Sequence, residues 1–280
     1  MSIHQLARTA LSTVLLLLGS CSRPGDLHSR FARPTPEIQL PDGVIELTRE
    51  LTLPSGAANI TIRGGKGTVL KLSGNFDGRA AIVAEKASNL RLENFEIDGN
   101  RAARGKAAGM LPDENAYRLH YRDNGLLFDQ VRGLRIDRVR FREIASFAIL
   151  VSRSTGVAID QVVVTDSGGK DPRGRNNTTG GILIEEGTVS FTVTNSRFER
   201  ILGNAVWTHS LFTSPRLEDG VFSKNHFDTI GRDAIQVGHA TRIQVDHNSG
   251  VRIGYPAEIV DIEHDGTPVA IDTAGNVDRS

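Results

Sequence analysis

Glu185 and His209 lie 24 residues apart, Asn204 and Asp233 lie 29 apart, and Trp207, the only tryptophan, stands just before His209. Carboxylates, imidazoles and an indole in such an arrangement suit chemistry on a sugar polymer. A carboxylate pair such as Glu185 and Asp233 can flank a glycosidic bond for hydrolysis. Histidines such as His209 and His239 can act as general bases, and an exposed indole offers a platform for a sugar ring. β-Elimination on a uronic acid needs a proton acceptor together with positive charge or a metal. Lys170, Arg173 and Arg175, within the stretch Asp166 to Thr179, can supply the first two. Glu185, Glu186 and Asp233 carry the oxygen ligands that Ca²⁺ takes. Tyr117, His120 and Tyr121 come from a second polar stretch, Arg101 to Asp123, that also holds Arg118 and Arg122.

The elements that must position these groups are short strands. Leu134, Ile136, Val139 and Phe141 are followed at an offset of 23 by Val157, Ile159, Val162 and Val164. Leu90, Leu92, Phe95 and Ile97 precede the first set by 44, about two such periods, and Phe191, Val193 and Phe198 follow it at 57. Each unit alternates apolar and polar residues with period 2, broken by Asn, Asp or Gly, which describes half-buried strands. No helical apolar stripe of useful length follows the first twenty residues. Units of about 23 residues with three strands each are expected to be coils of a parallel β-solenoid.

The residues Leu40-Pro41-Asp42-Gly43, Ile97-Asp98-Gly99-Asn100-Arg101 and the phrases Asn195-Ser196-Arg197-Phe198 and Asn225-His226-Phe227 resemble the pectin-lyase-like superfamily. That resemblance implies an all-β fold, a single-stranded right-handed parallel β-helix. It also implies that the third strand face of each coil forms the substrate groove. On that face, Ile149, Val151, Ile182, Ile184, Val206, Thr208, Ile235 and Val237 are expected to point inward. Leu150, Leu183, Trp207 and Gln236 make one outward row; Ser152, Glu185, His209 and Gly238 make the next. Such a ladder climbs about 4.8 Å per coil, close to one sugar unit. Both long stretches interrupt the coil just before this strand and are expected to wall the groove. Related polygalacturonases carry Asn-Thr-Asp, Asp-Asp and Gly-His-Gly signatures. Here Asn177-Thr178-Thr179, Arg232-Asp233 and Gly238-His239-Ala240 stand instead, which argues against that activity.

The chain of 280 residues has 33 Lys+Arg against 33 Asp+Glu, so no basic excess exists to hold a nucleic-acid backbone. Its 39% of hydrophobic residues is too high for a disordered chain. Cys21 is the only cysteine, which rules out a disulfide within a monomer. Arg8, the apolar run Ala10 to Leu18 and the small Gly19 and Ser20 form a secretory signal, too short to span a bilayer. Leu18-Gly19-Ser20-Cys21 resembles a bacterial lipoprotein box. That implies export, lipidation of Cys21 and, with Ser22 next, an anchor in the outer membrane or at the cell surface. The expected segments are a signal peptide (1–20), a lipidated tether (21–37) and the β-helix (38–280).

Three functions follow as expectations: a lyase or epimerase on an acidic glycan, a glycoside hydrolase, or a non-catalytic glycan-binding β-helix. Polysaccharide is the expected partner, and Ca²⁺ is the one cofactor that the residues suggest. Val269-Ala270-Ile271 and Asn276 to Ser280 begin a coil and stop, so the expectation is either truncation relative to an ancestor or a partner or second copy that covers that end.

Overall fold

The computed structural model describes residues 24–104, 116–169, 179–211, 213–254, 271–272 and 277–278. In them, parallel strands stack coil upon coil in three faces around one apolar core. Face one runs in chain order through Glu37–Gln39, Ala58–Arg63, Ser88–Glu93, Arg132–Asp137, Thr155–Asp160, Val189–Thr194, Leu217–Ser223, Ala240–Asp246 and Ile271–Asp272. Faces two and three join in one sheet because the long strand Thr68–Glu85 serves both. Its first part pairs with Glu96–Asp98 on face two, and its last part pairs with Asn124–Asp129 on face three. Face three then climbs through Ile149–Ser152, Ile182–Glu185, Val206–His209 and Ile235–Val237. The all-β, parallel, coiled architecture is the one the repeats implied.

Period-2 alternation builds the core. On face one Leu92, Ile136, Ile159, Val193, Phe222 and Val245 are register partners, and all are buried. On face two Ile97, Phe141, Val164, Phe198 and Phe227 form an equivalent file, with the last two rings stacked at 5.1 Å. Each such side chain contributes about 1.5–3 kcal/mol by leaving water. The turn after face one repeats one left-handed residue per coil: Asn94, Arg138, Gln161, Asn195, Lys224 and His247, with φ of 52–60°. Asn tolerates that conformation best, and Asn100 (φ 50°) and Asn195 (φ 52°) both adopt it. Asn225 and Asn248 form a buried ladder instead. The Asn225 N–H donates to Asn248 Oδ1 at 3.0 Å, and the Asn225 carboxamide donates to the Val193 carbonyl at 2.9 Å. This satisfies backbone groups that the turn would otherwise leave unpaired.

Two local expectations change. The offset of 44 is one coil rather than two, because Ser88–Glu93 pairs directly with Arg132–Asp137. The extra length lies between Asp98 and Asn124, the ends of the strands on either side. Residues 24–32, assigned by composition to the tether, form a helix, α1 (Pro24–Ala32), with Leu27 and Phe31 buried in the core. Their i, i+4 spacing places both on one face, which covers the open end of the first coil near Gly43–Thr52. Residues 210–211 and 213–216 follow the face-three strand Val206–His209 along the chain. Cys21 and the signal stretch lie outside the described residues.

Candidate functional site

Face three holds its outward rows where alternation put them. Leu127, Leu150, Leu183, Trp207 and Gln236 are register partners, as are Asp129, Ser152, Glu185 and His209. The insertion that begins with α2 (Arg101–Arg104) returns across these rows as α3 (Tyr117–His120). Tyr117 and Tyr121 stack at 5.3 Å, and Tyr117 meets Trp207 edge-on at 5.1 Å and His209 at 4.9 Å. With Phe147, Leu150 and Leu183, these tyrosines and the indole make a second apolar cluster, separate from the coil core.

Glu185 lies beneath α3, fully buried. Its two oxygens accept the backbone N–H of Tyr117 at 2.9 Å and of Arg118 at 3.0 Å. The Arg118 guanidinium stands 3.8 Å from Glu185 and 3.4 Å from Asp129. Arg153 forks onto the same Asp129, its Nε at 2.8 Å. Burial pushes the Glu185 carboxyl up to about 7, and the neighbouring Glu186 charge adds to the rise. The two backbone donors and Arg118 act against it.

Beside this cluster, toward the first coils, face three opens into a depression of about 440 Å³, within the range of small-molecule sites. Arg79, Lys86, Arg118 and Arg153 line it together with the carboxylates Glu85 and Asp129. Arg79 bonds Glu85 at 2.7 Å and Glu50 at 3.0 Å. A carboxylate-bearing sugar entering here would meet forked guanidinium donors at short range.

The structure corrects several expectations about individual residues. Trp207 is not an exposed platform: it is 7% exposed, because α3 covers it. Tyr117 and Tyr121 are buried as the packing face of that cover, and of this group only His120 is exposed. Glu185 is fully buried, and its oxygens accept the backbone N–H groups of Tyr117 and Arg118. The Glu186 oxygens accept the Leu211 N–H at 2.9 Å and the Ser214 hydroxyl, which ties down the loop 210–216. His209 is half-buried under Tyr117, and His239, also half-buried, bonds the Ser214 carbonyl through Nε2 at 3.2 Å. Asp233 is buried, and its N–H donates to Asn204 Oδ1 at 3.2 Å. The Asn204 carboxamide in turn donates to Gln236 Oε1 at 2.5 Å. Trp207, His209, Glu185, Tyr117 and Tyr121 are thus brought together, whereas Asp233 with Gln236 and Glu186 with His239 form separate groups. Among the described residues no three His, Cys, Asp or Glu side chains converge as a metal site. Lys170, Arg173 and Arg175 lie outside the described residues.

Asp129 and Arg79 were not singled out from sequence. Asp129 was within reach, since it continues the Ser152–Glu185–His209 row by one coil. The covered indole has a measurable consequence. Trp207→Ala should cost about 3–5 kcal/mol, comparable to the core change Ile149→Ala at about 2–5 kcal/mol. Urea denaturation of both variants checks this, and a loss near zero for Trp207→Ala would restore the exposed-platform reading.

No protein-family profile matches the chain, and no curated protein matches it significantly. Among solved structures it is similar to the catalytic domain of a GH87 α-1,3-glucanase, solved in complex with tetrasaccharides. The TM-score is 0.70 at 11% identity, over 93% of this chain and 45% of that one. It is also similar to the surface protein and adhesin PfbA of Streptococcus pneumoniae, with TM-score 0.61 and 14% identity over 89% and 65% of the two chains. An alginate lyase from Paenibacillus sp. str. FPU-7 follows, with TM-score 0.54 and 15% identity over 92% and 94%. At these identities the likeness establishes the fold. The chain spans less than half of the glucanase chain and just under two thirds of the adhesin chain.

Proposed function

We propose that this chain is an exported, right-handed β-helix protein that acts on an acidic polysaccharide, by elimination at a uronate unit. The observation that carries the reading is the depression in which Arg118 and Arg153 share Asp129. A substrate carboxylate would compete for both guanidinium groups and release Asp129 from its ion pairs. Freed, Asp129 takes the proton from the carbon next to the substrate carboxylate. The electron pair forms the carbon–carbon double bond as the glycosidic C–O bond breaks, and the Lys86 ammonium at the rim protonates the departing oxygen. Arg118 and Arg153 hold the developing enolate-like charge throughout. The sharing of this fold with glycan-acting proteins supports a glycan substrate. A hydrolase reading stays attached to one observation, the presence of two carboxylates, Glu85 and Asp129, in the same depression.

A panel of acidic and neutral polysaccharides decides between them. Unsaturated product absorbing at about 232 nm is expected from an acidic substrate, and Asp129→Asn should lower turnover at least about 100-fold with binding retained. New reducing ends without that absorbance would replace elimination by hydrolysis. Binding without turnover would leave a glycan-binding protein. Export and lipidation at Cys21 belong to the same reading, and mass spectrometry of the protein from a bacterial membrane fraction should show the modified cysteine as the first residue.

A further inference from the structure

A second depression, of about 820 Å³, lies around the corner from the first, where face three turns into face one. It spans successive coils at one turn: Gly56, Lys86, Gln130, Arg153 and Gly187 belong to that turn in five consecutive coils. At about 4.8 Å per coil, it runs about 19 Å along the solenoid axis. Lys86, Gln130 and Arg153 adopt φ of 53°, 56° and 49°. The floor is low where Gly56, Ala87, Ser154 and Gly187 stand, and Lys86, Arg132 and Arg153 rise from it as exposed side chains. No carboxylate residue lines it. Glu186, at the same turn of the next coil, has both oxygens turned to the loop 210–216. The two depressions share Lys86, Gln130 and Arg153 and are therefore adjacent.

We propose that this corner groove is an extended binding subsite for an acidic glycan, taking the anionic units that follow the one held in the face-three depression. The inference rests on the acidic-glycan reading and adds to it a chain direction, along the axis, and a second set of contacts. Lys86 and Arg153 face the first depression as well, so Arg132 is the cation that lines the corner groove alone. Arg132 stands beside them at the first position of the face-one strand, in register with Ser88 and Thr155. A neutral glycan would gain little from the exposed cations Lys86 and Arg132, whereas a uronate carboxylate gains a charge-assisted contact; Arg153 already holds Asp129. Those contacts are solvent-exposed, so added salt should weaken them.

Calorimetric titration of the full chain with oligouronates of two and six units tests this. The hexamer is expected to bind at least tenfold tighter than the dimer at low salt. Arg132→Glu should remove most of that advantage and leave dimer affinity unchanged, since Arg132 does not line the first depression. Lys86→Glu, which touches both depressions, should weaken both ligands. Arg132 is exposed, and an unchanged melting curve of the variant separates lost binding from lost folding. Hexamer affinity unaffected by Arg132→Glu, with Arg118→Ala abolishing binding of both ligands, would overturn the corner subsite and leave the first site standing. Binding of neither oligouronate would overturn both. Equal affinity for a single-stranded oligonucleotide of the same charge would overturn the assignment to a glycan.

Discussion

Raising the pH from about 5 to about 8 is expected to expose Trp207 to solvent, read as a red shift of its emission and easier quenching by acrylamide. The reporter is unambiguous because the chain has one tryptophan, and α3 lies directly over it. Under the same helix lies Glu185, whose carboxyl is raised from 4.5 to about 7 by burial. A carboxyl solvated by an undocked α3 would return toward 4.5, so the docked form binds the proton more tightly. The sign follows from linkage: the contribution of Glu185 to docking is fully present below about pH 4.5 and is lost as the pH rises through about 7. A difference of that size corresponds to about 3 kcal/mol. The backbone N–H groups of Tyr117 and Arg118 and the Arg118 guanidinium oppose the effect, while Glu186 reinforces it. The titratable and charged groups facing Glu185 are completed by His209 in the next coil and by Asp129 and Arg153 behind Arg118. Glu185→Gln keeps an acceptor for α3 but cannot ionise, so its quenching should stay flat across the range. A wild-type profile as flat as that of Glu185→Gln would rule the mechanism out.

The largest loss of stability is expected from Gly181→Ala, a change of one methyl group. Gly181 sits where the coil enters face three, its N–H donating to the Asn204 carbonyl and its carbonyl accepting the Ala148 N–H at 2.9 Å. A Cβ there would stand 1.7 Å from the Ala205 carbonyl oxygen of the next coil. The three nearest atoms are all Ala205 backbone, so relief requires parting two coils and breaking those hydrogen bonds. The expected cost exceeds about 4 kcal/mol, the range reserved for such mechanisms, and failure to accumulate as folded protein is an equivalent result. Gly74→Ala is the control, because a Cβ there meets nothing within 4 Å and should change stability by less than about 0.5 kcal/mol. Melting curves of the two variants side by side would contradict the close-packed corner if they coincided.

The coils themselves were legible in the amino-acid order because their cause is local and repetitive. Alternation in Val157–Ile159 or Phe191–Val193 gives strands, polar residues that break it mark the left-handed corners, and the repeat length stacks them. Inward and outward positions on face three followed from the same alternation, and the registered row Ser152, Glu185, His209 agrees with it. Alternation assigns a side of the sheet, not what lies against that side. Whether Trp207 meets water depended on an insertion whose Tyr117 reaches Glu185 across 68 residues of sequence, and no local pattern encodes such a contact. The 44-residue interval was ambiguous for the same reason, since a coil carrying a loop and two plain coils have similar lengths. Helix α1 escaped notice because two apolar residues, Leu27 and Phe31, suffice to cover a coil end. The amino-acid order by itself therefore determined the solenoid and the face on which chemistry would be sought. Tertiary structure alone decided which groups on that face are sealed under α3, because burial depends on distant segments folding over a surface that short-range periodicity can only orient.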